Sequence, residues 1–137
     1  MKLYHGTDNS DFKLQPIKEG VGYHPGAGPV EFLGASFSDS EEVAGSYGKI
    51  IIQKEFTPVK LKKFRSLEAL KNDIFKTFGQ PTSGQNLGVY YWDIADSYKA
   101  KLLAEGYDAV IFQEGLKRST DEKVSITIIP ISDDFYN

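Results

Sequence analysis

The sequence of 137 residues contains no cysteine, one methionine, one tryptophan and two histidines. Without cysteine the chain has no disulfides and no thiolate metal sites, which fits a reducing compartment. His5 and His24 lack a third partner at ligand spacing, so we expect no metal centre. The chain also lacks an apolar run of the roughly 20 residues that span a bilayer, and it opens on a short strand rather than on a signal segment. We therefore expect a cytoplasmic protein with no membrane partner.

Charge and composition favour one ordinary globular domain over residues 1–137. The net charge is −3, so no global basic field is available to attract nucleic acid. The one basic stretch, residues 60–65, reads Lys-Leu-Lys-Lys-Phe-Arg. Such a run is typical of a solvated face, with a phosphate or nucleic-acid patch as the alternative. No internal repeat and no linker divides the chain.

Hydrophobic periodicity and chain breakers predict an α+β domain. We expect helices beginning at residue 41 and covering residues 67–78 and 90–105, and strands at residues 2–4, 31–38, 50–56, 59–64, 107–112 and 124–131. Asp39 or Ser40 can cap the first helix, and Ser66 can cap the second. Residues 8–31 read as a long loop, and its glycine-rich part, residues 20–29, is either a plain mobile loop or a lid over a ligand.

Two segments carry residues suited to holding a flat, charged nucleotide. Tyr4-His5-Gly6-Thr7 ends the first strand on a His-Gly turn, where an imidazole can bond a ribose hydroxyl and a glycine leaves its backbone open to a ligand. Gly34-Ala35-Ser36-Phe37-Ser38-Asp39 lets another backbone or a ligand approach closely. The helix after it carries Tyr47 at its far end, and this ring can cover an aromatic ligand or close the core.

These segments, together with a third at residues 106–111, resemble motifs of the His-Tyr-Glu ADP-ribosyltransferases, the class that contains the poly(ADP-ribose) polymerases and the diphtheria-type toxins. Tyr4-His5-Gly6-Thr7 is similar to the family's aromatic-His-Gly-Ser/Thr motif. Gly34-x-x-Phe37-x-Asp39 is similar to its Gly-x-Tyr-Phe-x-Asp strand, and Tyr47 is similar to its nicotinamide-stacking tyrosine. Residues 106–111, Gly-Tyr-Asp-Ala-Val-Ile, resemble a strand of small bacterial and phage members. The resemblance implies a split β-sandwich of two mainly antiparallel sheets with flanking helices.

The resemblance also implies NAD as co-substrate and a pocket for its nicotinamide end. The residues implied to contact NAD are His5, Gly6, Thr7, Gly34, Ser36, Phe37 and Tyr47. Within this set His5 and Gly6 pin the ribose and the carboxamide. Ser36 and Phe37 line the floor under the nicotinamide, on which Tyr47 stacks.

The family's catalytic glutamate is where this sequence departs from the pattern. That residue usually begins the last pocket strand, and alignment on the apolar run puts its position near Val124 or Ser125. Glu122 fits if the strand starts earlier, and Glu114, at the end of the preceding strand, is the second candidate. A carboxylate there would stabilise an oxocarbenium-like sugar and activate the acceptor. If both glutamates are solvated loop residues, the chain binds NAD without transferring it or transfers by a variant mechanism.

We therefore expect a mono-ADP-ribosyltransferase that modifies a host or cellular protein, of the kind used as a bacterial or phage effector. One alternative is an NAD glycohydrolase or a transferase acting on nucleic acid, for which residues 60–65 and the aromatic residues 90–92 are the hints. Another is a non-catalytic protein of the same fold that inhibits a partner through surface contact.

Overall fold

The computed structural model of the protein describes residues 1–11, 14, 32–114 and 125–136. These residues form an α+β fold with six strands and four helices, which confirms the predicted class. The strands are β1 (Lys2–Thr7), β2 (Phe37–Ser38), β3 (Ile50–Glu55), β4 (Leu61–Phe64), β5 (Ala109–Glu114) and β6 (Ser125–Pro130). The helices are α1 (Glu41–Gly45), α2 (Leu67–Phe78), α3 (Leu87–Ala104) and α4 (Asp133–Tyr136). None of the described helices combines the length and apolar character that crossing a bilayer requires.

The six strands form one mixed sheet in the order β3-β1-β2-β6-β5-β4. Neighbouring strands are antiparallel except β4 and β5, which run parallel. We expected two packed, mainly antiparallel sheets, whereas the described residues form a single sheet. The reason is β2, whose two residues pair with β1 on one side and with β6 on the other. The two halves of the sheet are therefore continuous through Phe37 and Ser38.

Side chains of β5 and β6 alternate between two apolar cores, because successive residues of a strand point to opposite faces. On one face Val110 and Ile129 pack against α2 and α3. On the other face Ile128 packs with Leu3 and Phe37, and the short helix α4 covers them. Burying each of these large side chains contributes roughly 1.5–3 kcal/mol. The second core, on the α4 face, is the one that underlies the two motifs singled out in the sequence.

Helices α1, α2 and α3 each follow a polar residue whose side chain accepts a hydrogen bond from the backbone N–H three residues later. These cap residues are Ser40, Ser66 and Asn86. Ser66 was predicted, Ser40 is one of the two residues predicted to cap the first helix, and α2 has the predicted bounds. The third helix begins at Leu87 rather than at residue 90, because Asn86 caps it.

Three predictions about local structure are wrong. The first strand does not stop at a His-Gly turn, because β3 pairs with β1 along its whole length. The strand expected at residues 31–38 is reduced to β2, and Phe32 and Leu33 are buried in helical conformation. The aromatic residues 90–92 are not exposed together as a nucleic-acid surface would require, because Tyr90 and Tyr91 of α3 are buried in the core.

The segment Gly106-Tyr107-Asp108 secures the start of β4. The Asp108 carboxylate accepts hydrogen bonds from the backbone N–H of Val59 at 2.8 Å and of Lys60 at 3.1 Å. The backbone N–H of Asp108 donates to the Lys60 carbonyl at 3.0 Å. The Lys60 ammonium also lies 4.3 Å from the centroid of the Tyr107 ring. The third motif therefore anchors the basic strand β4, and its residues stabilise the fold.

Replacing Asp108 tests this anchoring. Asp108→Ala should lower the free energy of unfolding by about 1–2 kcal/mol, because two hydrogen bonds of about 1 kcal/mol each are lost. Asp108→Asn keeps one acceptor oxygen and should lose about half as much. Urea denaturation measures both. Asp93→Asn, an exposed position on α3, is the control and should stay within about 0.5 kcal/mol of the parent. Equal stability of Asp108→Ala and Asp93→Asn would contradict the anchoring role.

Candidate functional site

His5 is the residue at which the first two motifs meet. Its Nδ1 lies 2.7 Å from the Ser36 carbonyl oxygen, and its ring centroid lies 5.6 Å from that of Phe37. A carbonyl oxygen only accepts hydrogen bonds, so Nδ1 carries the proton. In the neutral ring Nε2 then holds the lone pair and acts as an acceptor. The hydrogen bond to Ser36 thus fixes both the orientation and the tautomer of the half-buried imidazole.

The pairing between β1 and β2 ends beside His5. β1 and β2 share only the pair Tyr4 and Ser38, although β1 continues to Thr7. Beyond that pair, residues 34–36 leave the strand, and the His5–Ser36 hydrogen bond spans the gap. We call the space between residues 5–7 and residues 34–36 the β1–β2 opening. The backbone of Gly6 borders it, with β3 as its strand partner on the other side.

Helix α1 packs directly on β1 beside this opening. A Cβ at Gly6 would lie 1.8 Å from the carbonyl oxygen of Ala44 in α1. A Cβ at Gly48 would lie 2.6 Å from the Thr7 Cα. Both glycines are therefore needed for close backbone contact, and together they form what we call the α1–β1 junction. The junction brings Tyr47, which precedes Gly48, to the end of β1.

Tyr47 is not a core residue. Its side chain is 59% exposed, and its backbone N–H donates to the Ala44 carbonyl at 3.1 Å in the turn after α1. Alternation along β1 sends the His5 side chain to the face opposite the one on which α1 packs. The imidazole and helix α1, whose following turn carries Tyr47, thus lie on opposite faces of β1.

Two of the residues implied to contact NAD, Phe37 and Gly34, are packed closely against other parts of the protein. Phe37 is only 2% exposed and packs edge-on against Phe135 at 5.4 Å, so it supports His5 from within the core. A Cβ at Gly34 would lie 2.5 Å from the Tyr136 hydroxyl and 2.6 Å from the Pro130 carbonyl oxygen. Position 34 therefore requires a residue without a side chain, because α4 and the end of β6 occupy the space beside it. The close approach predicted at Gly34 is made by the protein itself.

Of the two candidate carboxylates, only the backbone position of Glu114 is described. Glu122 is outside the described residues. The sheet register places Ile111 of β5 level with Phe37, and Phe37 level with His5. Glu114 ends β5, three residues beyond Ile111. Three residues along a strand span about 10 Å, and β5 is three strands from β1, a further distance of about 14 Å. The strands alone therefore do not bring Glu114 to the imidazole.

Helix α4 was missed in the sequence, although it contacts the site. The Tyr136 hydroxyl accepts from the Ala35 backbone N–H at 3.1 Å and donates to the Pro130 carbonyl at 2.5 Å. Burial raises the pKa of Tyr136 well above its ordinary value, so the hydroxyl keeps the proton that it donates. A signal for this helix was present: Ser132 and two acidic residues precede the two aromatic ones at the end of the sequence.

Among residues 1–11, 14, 32–114 and 125–136, no three histidine, aspartate or glutamate side chains gather where they could hold a metal ion. The chain matches no protein-family model, no curated protein and no solved structure. The functional argument therefore depends on the geometry of the β1–β2 opening and on the motifs that border it.

A pair of glycine substitutions tests the α1–β1 junction. Gly6→Ala should lower the free energy of unfolding by about 1–3 kcal/mol or more, because the new methyl group overlaps the Ala44 carbonyl. Gly45→Ala, in α1 itself, is the matched control, since its nearest neighbour is the Ile51 Cδ1 at 3.8 Å. That substitution should be neutral or stabilise by up to about 1 kcal/mol. Thermal and urea unfolding measure both, and a Gly6→Ala variant as stable as Gly45→Ala would rule out the packing.

Proposed function

We propose that the protein is a mono-ADP-ribosyltransferase, which transfers ADP-ribose from NAD to a macromolecular acceptor, a protein in the first instance, and releases nicotinamide. The observation that carries the proposal is the hydrogen bond from His5 Nδ1 to the Ser36 carbonyl. It joins the two motifs across the β1–β2 opening and sets the imidazole tautomer. In the single mixed sheet β3 and β1 lie on one side of β2, and β6, β5 and β4 lie on the other.

In this proposal the nicotinamide ring enters the β1–β2 opening. The backbone N–H and C=O of Gly6 bond the carboxamide, which requires a residue without a side chain at that edge. A ribose hydroxyl donates to His5 Nε2, the acceptor atom of the Nδ1–H tautomer. Tyr47 covers the ring from the α1 side, where its exposed phenol has the area to stack.

The reaction breaks the bond between the ribose C1′ and the nicotinamide nitrogen. The bonding electrons leave with nicotinamide and neutralise its positive charge, so that the sugar becomes oxocarbenium-like. A carboxylate stabilises that charge and takes the proton of the acceptor as the acceptor atom bonds to C1′. We assign this role to Glu122 first and to Glu114 second, because Glu122 precedes β6 in the chain order of the motif.

His5 is the first residue to replace. His5→Asn should reduce NAD-dependent transfer by about 100-fold, as expected when one preorganised hydrogen-bonding group is removed from a reaction centre. The assay follows label from ³²P-NAD into protein of a cell lysate, together with the release of nicotinamide. Glu122→Gln should abolish transfer while leaving NAD binding intact. If Glu122→Gln keeps its transfer activity, we expect Glu114→Gln to abolish transfer instead.

Tyr98→Phe serves as the control for lost stability, since it removes a buried hydroxyl that donates to Asp73 at 2.5 Å in the other core. It should keep its activity. Release of nicotinamide without labelled protein would identify water as the acceptor, and labelled nucleic acid would identify the other alternative. An absence of NAD binding by the parent protein would exclude all of these activities and favour a non-catalytic binding protein.

Replacing Tyr47 distinguishes a role of this residue in binding NAD from a role in stabilising the fold. Because its side chain is 59% exposed, Tyr47→Ala should change the free energy of unfolding by less than about 0.5 kcal/mol. A stacking contact is worth about 0.5–1.5 kcal/mol, so the Kd for NAD should rise by about 2- to 12-fold. Isothermal titration calorimetry measures the affinity, and Tyr47→Phe should retain it. Unchanged NAD affinity in Tyr47→Ala would remove Tyr47 from the site.

A further inference from the structure

The hydroxyl of Tyr136 holds the chain segment to which His5 is hydrogen-bonded. It accepts from the Ala35 N–H at 3.1 Å and donates to the Pro130 carbonyl at 2.5 Å. Ala35 precedes Ser36, whose carbonyl oxygen receives the His5 Nδ1–H at 2.7 Å. The atom that Tyr136 holds and the atom that orients the imidazole therefore belong to consecutive residues. Residues 34–36 have no regular strand structure, so this side chain replaces the sheet hydrogen bonds that would otherwise hold them.

A second contact runs from α4 to the same imidazole through aromatic rings. Phe135 packs edge-on against Phe37 with centroids 5.4 Å apart, and Phe37 lies 5.6 Å from His5. The Lys54 ammonium fixes this end of α4, because it donates to the Phe135 carbonyl and lies 4.4 Å from the Phe135 ring. Helix α4 thus contacts two of the groups that touch the imidazole, the Ser36 segment and the Phe37 ring.

We propose that Tyr136 is a positioning residue for His5: by holding the Ala35 amide, its hydroxyl keeps the Ser36 carbonyl where it fixes the imidazole tautomer. The consequence for catalysis rests on the proposed function, whereas the consequence for the tautomer does not. The hydroxyl is the active part of the side chain, since the ring alone cannot receive the Ala35 N–H. Gly34 is matched to it, because any larger residue there would meet that hydroxyl.

The test compares Tyr136→Phe with Tyr98→Phe. Each variant removes one hydroxyl that makes a hydrogen bond inside the protein, but Tyr98 bonds Asp73 between α2 and α3 in the other core. The readout is the ¹⁵N NMR signature of the His5 ring at a pH where it is neutral, with the signals of His5 and His24 assigned by a His24→Gln variant. The parent and Tyr98→Phe should show the Nδ1–H form of His5. Tyr136→Phe should show a clear rise of the Nε2–H form, and a tautomer ratio equal to the parent's would overturn the proposal.

Hydrogen exchange in the unmodified protein provides a measurement that does not depend on how a variant folds. The Ala35 amide should be protected, because it is bonded to Tyr136, and an exchange rate equal to that of an unstructured amide would overturn the proposal. If the parent transfers ADP-ribose, Tyr136→Phe should reduce kcat/KM about 10-fold or more, and Tyr98→Phe should not. A parent without NAD activity whose His5 tautomer shifts in Tyr136→Phe would refute the proposed function and leave the positioning role supported. An active parent with an unshifted tautomer in Tyr136→Phe would refute the positioning role alone.

Discussion

The structure depends on a strand of two residues. Phe37 and Ser38 pair with β1 on one side and with β6 on the other, and through them the two halves of the sheet become one. β3 holds β1 in register along its whole length, whereas β2 pairs with β1 only at Tyr4. Beyond that pair, residues 34–36 have no regular strand structure. The His5–Ser36 hydrogen bond joins these residues to β1. Because β2 is so short, Gly6 and Thr7 have no strand partner in β2.

Most of the regular elements could be predicted from the sequence, because local signals determine them. Ser66 and the spacing of apolar residues after it define α2, and the β-branched residues of β3 and β6 mark strands. The failures occurred where a distant residue decides the local structure. Nothing near Gly34 predicts that Tyr136, 102 positions later, occupies the space beside it, and so the segment before Phe37 was assigned to a strand. Helix α4 was not predicted, because four residues are too few to show a helical periodicity of apolar side chains.

The candidate site shows the same division between local and distant causes. The sequence identified His5, Gly6 and Tyr47 as neighbours, and their segments do meet at the α1–β1 junction and the β1–β2 opening. Their roles as NAD ligands remain proposals. What a motif could not reveal is that the glycines also have packing duties: Gly6 admits the backbone of α1, Gly48 lies on Thr7, and Gly34 admits a tyrosine. A glycine in such a motif can therefore satisfy a backbone contact and border a ligand at once.

The described helices cover the two faces of the sheet unequally, and this explains the position of the candidate site. Helices α2 and α3 bury one face over β5 and β6, and α1 covers β1 on that same side. On the opposite face, among the described elements, only α4 packs, and it places Phe135 and Tyr136 over Phe37 and the residues before it. His5 lies at the border of that small cover, half-buried, with one nitrogen committed to the protein's own backbone. An imidazole without the Ser36 carbonyl would exchange freely between tautomers. The four residues of α4 thus hold the chain segment and the aromatic ring that orient the imidazole.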